Sequence, residues 1–303
     1  MTPDASLVIN LSAGDVAYAY ETAKALIESH RDSVKAVIIV IDTIKAPFSN
    51  FYNHSERYAE PLFSEKIKKV RETVDKLKTE GLVDQIISLK NGDPYIKNLS
   101  KKYFRNRIHE THDFRGAPIT AYLVGLEACN TRYIVHYDGD ILLHQVPGAD
   151  WIIKGIQILE TTGHLISISP NPAPPPATTS KEDYTDLQWF STRCLLINKE
   201  ILITQLPLVA NGHRVELWLR KVFKRTYPPA FETILYKRLR QGKYLTRYLV
   251  GEPAWYIHPE NKGEIFADLL EPIIQSIHNG DYPPQQTGNE TLLIDDWKTY
   301  LQK

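Results

Sequence analysis

Short apolar runs alternate with helical patterns through the first half of the chain, and this alternation constrains the fold most strongly. Four runs rich in Val and Ile have the length and composition of buried strands: 6–11, 37–41, 83–89 and 133–137. Between them, apolar residues recur at helical spacing, as from Ile67 to Leu77. Strands separated by helices predict a mostly parallel sheet that is covered by helices on both faces. We therefore predict a Rossmann-like α/β fold.

The second half of the chain is less regular, and the whole length of 303 residues suits one large α/β domain. The Pro-rich stretch Ser169–Ser180 predicts an irregular loop beside the active site. Later patterns predict one strand and two helices: 189–197, 231–240 and 265–277. We therefore divide the chain into a main domain, 1–262, and a C-terminal helical extension, 263–303.

Charge and cysteine content exclude several classes of protein. Lys plus Arg equals Asp plus Glu at 36 each, so no overall field attracts nucleic acid or an anionic membrane, although a local basic patch remains open. Cys129 and Cys194 lie in apolar runs and predict buried free thiols, as in a reducing compartment. No apolar run approaches the roughly 20 residues that span a bilayer, and the opening residues lack a signal-peptide pattern. We expect a cytoplasmic protein without a transmembrane segment.

Ligands of parallel α/β sheets bind beyond the carboxyl ends of the strands. The residues at those ends are Ser12, Asp42, the loop 91–93 and Asp138. Asp138 begins the sequence Asp138-Gly139-Asp140, in which both carboxylates can face one point because residues i and i+2 of an extended chain point the same way. Gly139 would let a ligand approach the backbone closely. Two such carboxylates predict a Mg²⁺ or Mn²⁺ site that phosphate and water oxygens complete, whereas the alternative is an ordinary acidic turn.

The residues on both sides of this motif form a longer sequence pattern. ITAYLVGLEACNTRYIVHYDGDILL resembles the helix, strand and D-x-D segment of GT-A glycosyltransferases, especially the large family 2, and SLVINLSAGDVAYAYETAKALIESH with VIIVID resembles its first strand, helix and second strand. The resemblance implies that Asp42 contacts the base or ribose of a nucleotide-sugar donor. It also implies that Asp138 lies near the ribose and metal, that Asp140 is the direct metal ligand, and that Arg115 contacts the donor.

A second segment, FETILYKRLRQGKYLTRYLVGEPAWYIH, resembles the later pattern of the same family: an acidic pair at a helix start, then a strand and a His. The resemblance implies that Glu232 is the general base and that His258 is a third metal ligand. The chain departs from the family at Thr233, where Asp is usual, so the base could instead be Asp183 or Asp186.

These features predict a metal-dependent, inverting glycosyltransferase that takes a UDP- or GDP-sugar donor and Mn²⁺ or Mg²⁺. Residues 1–145 would bind the donor and 146–262 the acceptor, which could be a small molecule, a glycan or a lipid-linked compound but not a nucleic acid. A non-catalytic sugar- or nucleotide-binding protein of the same fold remains open. A sugar-nucleotide nucleotidyltransferase is disfavoured because INLSAGDVAYAY lacks a basic, Gly-rich phosphate loop. Several aromatic residues could stack on a sugar: Phe51, Tyr52, Tyr58, Tyr184 and Trp189.

Overall fold

The computed structural model describes residues 3–50, 53–180, 183–209, 211–223, 226–251 and 254–302. Within these residues the strands are β1 Ala5–Ser12, β2 Ala36–Asp42, β3 Gln85–Ser88, β4 Tyr133–Asp138, β5 Leu142–Gln145, β6 Leu165–Pro170, β7 Thr185–Leu187, β8 Cys194–Asn198, β9 Leu245–Leu249 and β10 Ala254–Ile257. The helices are α1 Ala19–His30, α2 His54–Arg57, α3 Leu62–Thr79, α4 Pro94–Phe104, α5 Thr120–Ala128, α6 Trp151–Thr161, α7 Lys199–Thr204, α8 Arg214–Val222, α9 Phe231–Gln241, α10 Glu264–Asn279 and α11 Ile294–Leu301.

The central sheet has the strand order β3-β2-β1-β4-β8-β6-β9-β7. Strands β3, β2, β1 and β4 pair in parallel, and so do β6 and β9. Strand β8 is antiparallel to both β4 and β6, and β7 is antiparallel to β9. Only β8 and β7 therefore run against the common direction within the described sheet. The prediction of an α/β fold with a mostly parallel central sheet is confirmed, and the arrangement is consistent with a Rossmann-like GT-A fold.

Both faces of the sheet are covered because successive side chains of a strand point to opposite sides. Leu7 and Ile9 of β1 pack in a core with residues of α1, α3 and α6, whereas Val8 packs on the other side with residues of α4, α5 and α9. All three β1 side chains are almost fully buried. Burial of each such side chain contributes about 1.5–3 kcal/mol, so both helical layers hold the sheet.

Local signals place several helix ends where the sequence predicts them. The Asp93 side chain accepts a hydrogen bond from the Tyr95 backbone N–H, and Pro94 is the first residue of α4. A capping acid followed by Pro at the first helical position is a local signal for the start of a helix. The helix α9 ends at Gly242, as its sequence indicates.

A smaller antiparallel sheet joins β5 to β10, and α10 packs against it. The predicted closing helix is present as α10, with Pro272 inside it. Ile265, the first residue of the predicted helix, is half exposed, while Phe266 is buried. The buried stripe instead runs through Phe266, Leu270, Ile273 and Ile277, and it contacts Trp297 of α11. The small sheet determines which side of α10 is buried. The local sequence pattern carries no information about that sheet.

Two boundaries in the second half differ from the prediction. Residues 189–193 lie outside the strand that was predicted for 189–197, and only Cys194–Asn198 forms β8. Ser169 and Pro170, which were assigned to the irregular loop, end strand β6. The reason is tertiary: β6 lies between β8 and β9, and the Ser169 hydroxyl donates to the Cys194 carbonyl oxygen at 2.8 Å.

The cysteines are buried and unpaired, as predicted, and burial raises the pKa of the Cys129 thiol to about 12. Across the described ranges, the helices all fall short of the length and apolar character that a membrane crossing requires.

Candidate functional site

The strand register brings the predicted strand-end residues to one edge of the sheet. Ser12 of β1 is the register partner of Asp42 in β2, and Asn10 of β1 is the partner of Asp138 in β4. Because these strands are parallel, the carboxyl ends of all three meet at the same edge. Ser12, Asp42 and Asp138 therefore share the edge at which ligands of such sheets bind.

A lysine outside the predicted set of site residues pairs with the acidic motif after β4. Lys262 Nζ lies 2.6 Å from Asp140 Oδ2, and the Asp140 side chain is only 14% exposed. Burial lowers the pKa of Lys262, but the charges of Asp140, Asp15 and Asp138 outweigh burial and raise it. Lys262 is therefore a fixed cation among three carboxylates.

Asp15 is held by a capping box after β1. Its Oδ2 accepts from the Ser12 backbone N–H at 2.6 Å and from the Ser12 hydroxyl at 2.9 Å, and its Oδ1 accepts from the Tyr18 hydroxyl. Burial raises the pKa of Asp15, and the negative charge of Asp140 adds to that rise. Asp15 is not among the predicted site residues, although Ser12 and Asp15 have the spacing of a capping box.

Packing against β1 explains why residue 139 is a glycine. A Cβ atom there would lie 2.4 Å from Leu11 Cδ2 and 3.0 Å from the Asn10 carbonyl oxygen. The Thr22 hydroxyl also donates to the Gly139 carbonyl oxygen at 2.7 Å. The space beside Gly139 is thus taken by β1, and its predicted contact with the donor stays a prediction.

The predicted metal ligands have separate partners. The Tyr122 hydroxyl donates to Asp138 Oδ1 at 2.8 Å, and the Arg193 guanidinium donates to His258 Nε2. Burial lowers the pKa of His258, and the positive charge of Arg193 lowers it further. No three His, Cys, Asp or Glu side chains in the described part of the chain are grouped closely enough to hold a metal. The structure therefore does not bring Asp138, Asp140 and His258 together as one set.

Glu232 lies in the first turn of α9 and belongs to a polar network that crosses the fold. Its Oε2 is 3.0 Å from Arg115 Nη2, and its Oε1 accepts from the Thr192 hydroxyl at 3.1 Å. Arg115 also pairs with Asp113, which is almost fully buried. Burial lowers the pKa of Arg115, but the charges of Glu232 and Asp113 outweigh this and raise it. The structure thus brings together Glu232 and Arg115, which are 117 residues apart.

Asp42 lies at the predicted edge but is enclosed. Its Oδ2 is 2.9 Å from His112 Nε2, its Oδ1 accepts from the Ile44 backbone N–H at 2.9 Å, and the side chain is only 5% exposed. The Thr111 hydroxyl lies 2.9 Å from His112 Nδ1 and holds the other side of the ring. Any contact between Asp42 and a nucleoside would require His112 to shift.

A cleft of about 650 Å³ opens beside the Glu232 network, and the side chains along it include Arg115, Glu232, Arg193, Trp189 and Glu290. Trp189 is 48% exposed. The cleft therefore offers carboxylates, guanidinium groups and an open aromatic face within one space.

The remaining candidates lie around this cleft or outside it. Asp186 forms a two-point pair with Arg247, at 2.7 and 2.8 Å, and this pair lowers the pKa of Asp186. Asp183 instead accepts from the Ser180 backbone N–H. Tyr58 packs against His54 and Phe63. Tyr184 is exposed and lies under the Arg247 guanidinium, while Phe51 and Tyr52 lie outside the described residues.

Comparison with known proteins gives a distant structural likeness. No protein-family model matches the chain, and no curated protein matches its sequence. Among solved structures, the chain is similar to an active-site mutant of LgtC, with 12% sequence identity and a TM-score of 0.36, over 80% of this chain and 72% of that one. At this identity and TM-score the likeness assigns no role to any residue.

Proposed function

We propose that this protein is a metal-dependent glycosyltransferase that transfers a sugar from a UDP- or GDP-sugar to an acceptor hydroxyl group. Two segments of the sequence that resemble family 2 GT-A enzymes support the proposal, and so does the α/β fold that carries them. Their acidic residues, Asp138, Asp140 and Glu232, lie at one sheet edge and in the adjoining cleft.

The charged groups around Lys262 are the main support for a divalent cation at this site. Lys262 Nζ lies 2.6 Å from Asp140, and the charges of Asp15 and Asp138 also act on its ammonium group, so three carboxylates gather at the strand edge. Carboxylate oxygens suit Mn²⁺ or Mg²⁺, which take oxygen ligands from proteins and from phosphates. A divalent cation would be held chiefly by Asp140, and Asp138 or His258 would join it only after a shift, because no three such side chains are grouped in the described part of the chain. When bound, such an ion would neutralise the charge that develops on a departing diphosphate.

Arg193 and Lys262 supply positive charge beside the same edge. Arg193 lines the cleft and donates to His258, while Lys262 pairs with Asp140. Both cations can contact a diphosphate once a metal takes over the carboxylate. They also define a second possibility, in which the two cations bind the diphosphate without a metal.

We propose Glu232 as the general base. It lines the cleft, and its two oxygens are oriented by Arg115 and by the Thr192 hydroxyl. A carboxylate so placed can accept the proton of an acceptor hydroxyl as that oxygen attacks. Asp186 is less suited, because Arg247 occupies both of its oxygens.

The direct test is calorimetry of UDP and GDP binding with Mn²⁺ and then after EDTA treatment. We expect Asp140→Ala to weaken Mn²⁺-dependent binding by about 100-fold or more, since loss of an outer-shell partner alone costs 10–100-fold. The matched control is Asp75→Ala, which removes an exposed carboxylate on α3. Equal affinity in the wild type and Asp140→Ala would refute the metal site, and full affinity after EDTA would favour Lys262 and Arg193 as the diphosphate ligands.

A turnover assay separates an enzyme from a binding protein of the same fold. Release of nucleoside diphosphate from UDP- and GDP-sugars is measured with Mn²⁺. We expect slow hydrolysis of at least one donor without an acceptor. Tight donor binding without any turnover, across an acceptor panel, would instead indicate a non-catalytic protein.

A further inference from the structure

The short helix α8 exposes an apolar face. Four of its large apolar side chains and the one that follows it are open to solvent: Val215 (66%), Trp218 (62%), Leu219 (40%), Val222 (54%) and Phe223 (68%). They recur at the spacing i, i+3, i+4, i+7 and i+8, which places them along one side of a helix. Contiguous exposed apolar side chains, Trp and Phe among them, usually mark a surface that binds a partner.

The opposite side of α8 fixes its orientation. Glu216 pairs with Lys237 of α9 and with Arg220 one turn further along α8. Leu217 packs against the core between the sheet and α9. Because polar and apolar contacts both anchor this side, the apolar face cannot turn inward without breaking them.

Positive charge surrounds the same helix. Residues 211–226 contain five Lys or Arg and a single Glu, whereas the whole chain has no net charge. That one acidic residue, Glu216, is already paired. Arg214 is exposed, and the Lys221 side chain is 63% exposed although its Nζ lies 4.0 Å from Glu110 Oε1. The local basic patch that composition left open is therefore located at α8, beside its apolar side chains.

We propose that α8 and Phe223 form a membrane-binding surface that inserts its apolar side chains into the headgroup region of an anionic bilayer. An interfacial helix of this kind joins an apolar face containing Trp or Phe to flanking Lys and Arg. An anionic leaflet satisfies both features, since it receives the apolar side chains and attracts the cations. A second copy of the chain is the poorer partner, because pairing two such faces would bring their positive charges together.

Co-sedimentation with vesicles tests the surface. The vesicles contain phosphatidylcholine alone or phosphatidylcholine with phosphatidylglycerol, at low and high salt. We expect binding to the anionic vesicles that weakens at high salt, because salt screens exposed charges. The double variant Trp218→Ser with Phe223→Ser should lose at least about 10-fold in affinity, and Arg214→Glu with Lys221→Glu should lose binding to anionic vesicles.

Two matched controls remove similar groups elsewhere. Leu62→Ser removes an apolar side chain that is 47% exposed on α3, and Lys68→Glu reverses a charge on a side chain that is 78% exposed. Both should bind vesicles as the wild type does. Quenching of tryptophan fluorescence by brominated lipid should fall in Trp218→Phe, which identifies Trp218 as the inserted ring.

Three results would overturn the proposal. The wild type could fail to bind anionic vesicles, or the α8 variants could bind as well as the controls. Alternatively, sedimentation velocity could show a dimer that Trp218→Ser with Phe223→Ser dissociates, without vesicle binding, which would make this face a contact between copies. Vesicle binding is measured without donor or metal, so its outcome is separate from the test of catalysis.

Discussion

Gly139 offers a sharp test of how the D-x-D segment is built. In Gly139→Ala the new Cβ would meet Leu11 Cδ2 at 2.4 Å and the Asn10 carbonyl oxygen at 3.0 Å. Leu11 is 1% exposed, so its side chain cannot move aside without displacing other core atoms. Overpacking of this kind costs about 1–3 kcal/mol. Gly139 does not have a positive φ, so the cost is steric only.

The expected loss converts into a measurable change in Tm. Unfolding entropy of about 2.1 cal/mol/K per residue gives roughly 0.6 kcal/mol/K for 303 residues. The Tm of Gly139→Ala should therefore fall by about 2–5 °C in differential scanning calorimetry. Gly163→Ala is the control, because a Cβ there meets no atom within 4 Å, and it should leave Tm unchanged or raise it slightly.

Nucleotide binding by the same variant separates the two explanations of this glycine. If packing against β1 is what requires a glycine at position 139, Gly139→Ala should lose stability whether or not nucleotide is present. A variant that kept the wild-type Tm but lost UDP and GDP binding would refute the packing argument. That result would restore the interpretation in which a ligand needs the space above the backbone.

Four further substitutions test the site and the core. Glu232→Gln should lower turnover about 10²–10⁴-fold while donor affinity stays within a few-fold, because only proton acceptance is lost. Asp42→Ala should weaken UDP or GDP and the full donor by a similar factor, and His112→Ala should do the same if His112 presents the nucleoside site. For His30, burial lowers the pKa to about 4. The unfolded chain therefore binds the proton first, and stability should fall by up to ~1.4 kcal/mol per pH unit between about pH 6.5 and pH 4; His30→Gln should flatten this slope in urea titrations.

Specific results would contradict these predictions. Near-normal turnover in Glu232→Gln, or a product that keeps the anomeric configuration of the donor, would move the search for the base to Asp183 and the loop around it. A loss in Asp42→Ala that is confined to the sugar-bearing donor would show that Asp42 does not act on the nucleoside. Parallel pH profiles for His30→Gln and wild type would exclude His30 as the titrating group.

Local pattern was sufficient for the four strands of the first half of the chain and for the residues that follow them, but not for the strands of the second half. The Val- and Ile-rich runs became β1, β2, β3 and β4. Strands β1, β2 and β4 are apolar along their length because they are buried on both faces, whereas β3 lies at the sheet edge and is only partly buried. The same reasoning places Asp138 at the end of β4, since parallel strands present their carboxyl ends at one edge. Capping residues, such as Asp93 before α4, are equally local.

Tertiary structure alone decided which groups meet at that edge. Lys262 reaches Asp140 and Arg115 reaches Glu232 because the chain returns to the sheet after long excursions, which no periodicity records. The enclosure of Asp42 by His112 has the same origin, and so do the true face of α10 and the exposed face of α8. Hydrophobic periodicity indicates that a helix or strand has an apolar face that needs to be covered. Only the packing of distant segments determines which residues cover an apolar face, or leaves that face exposed to a partner.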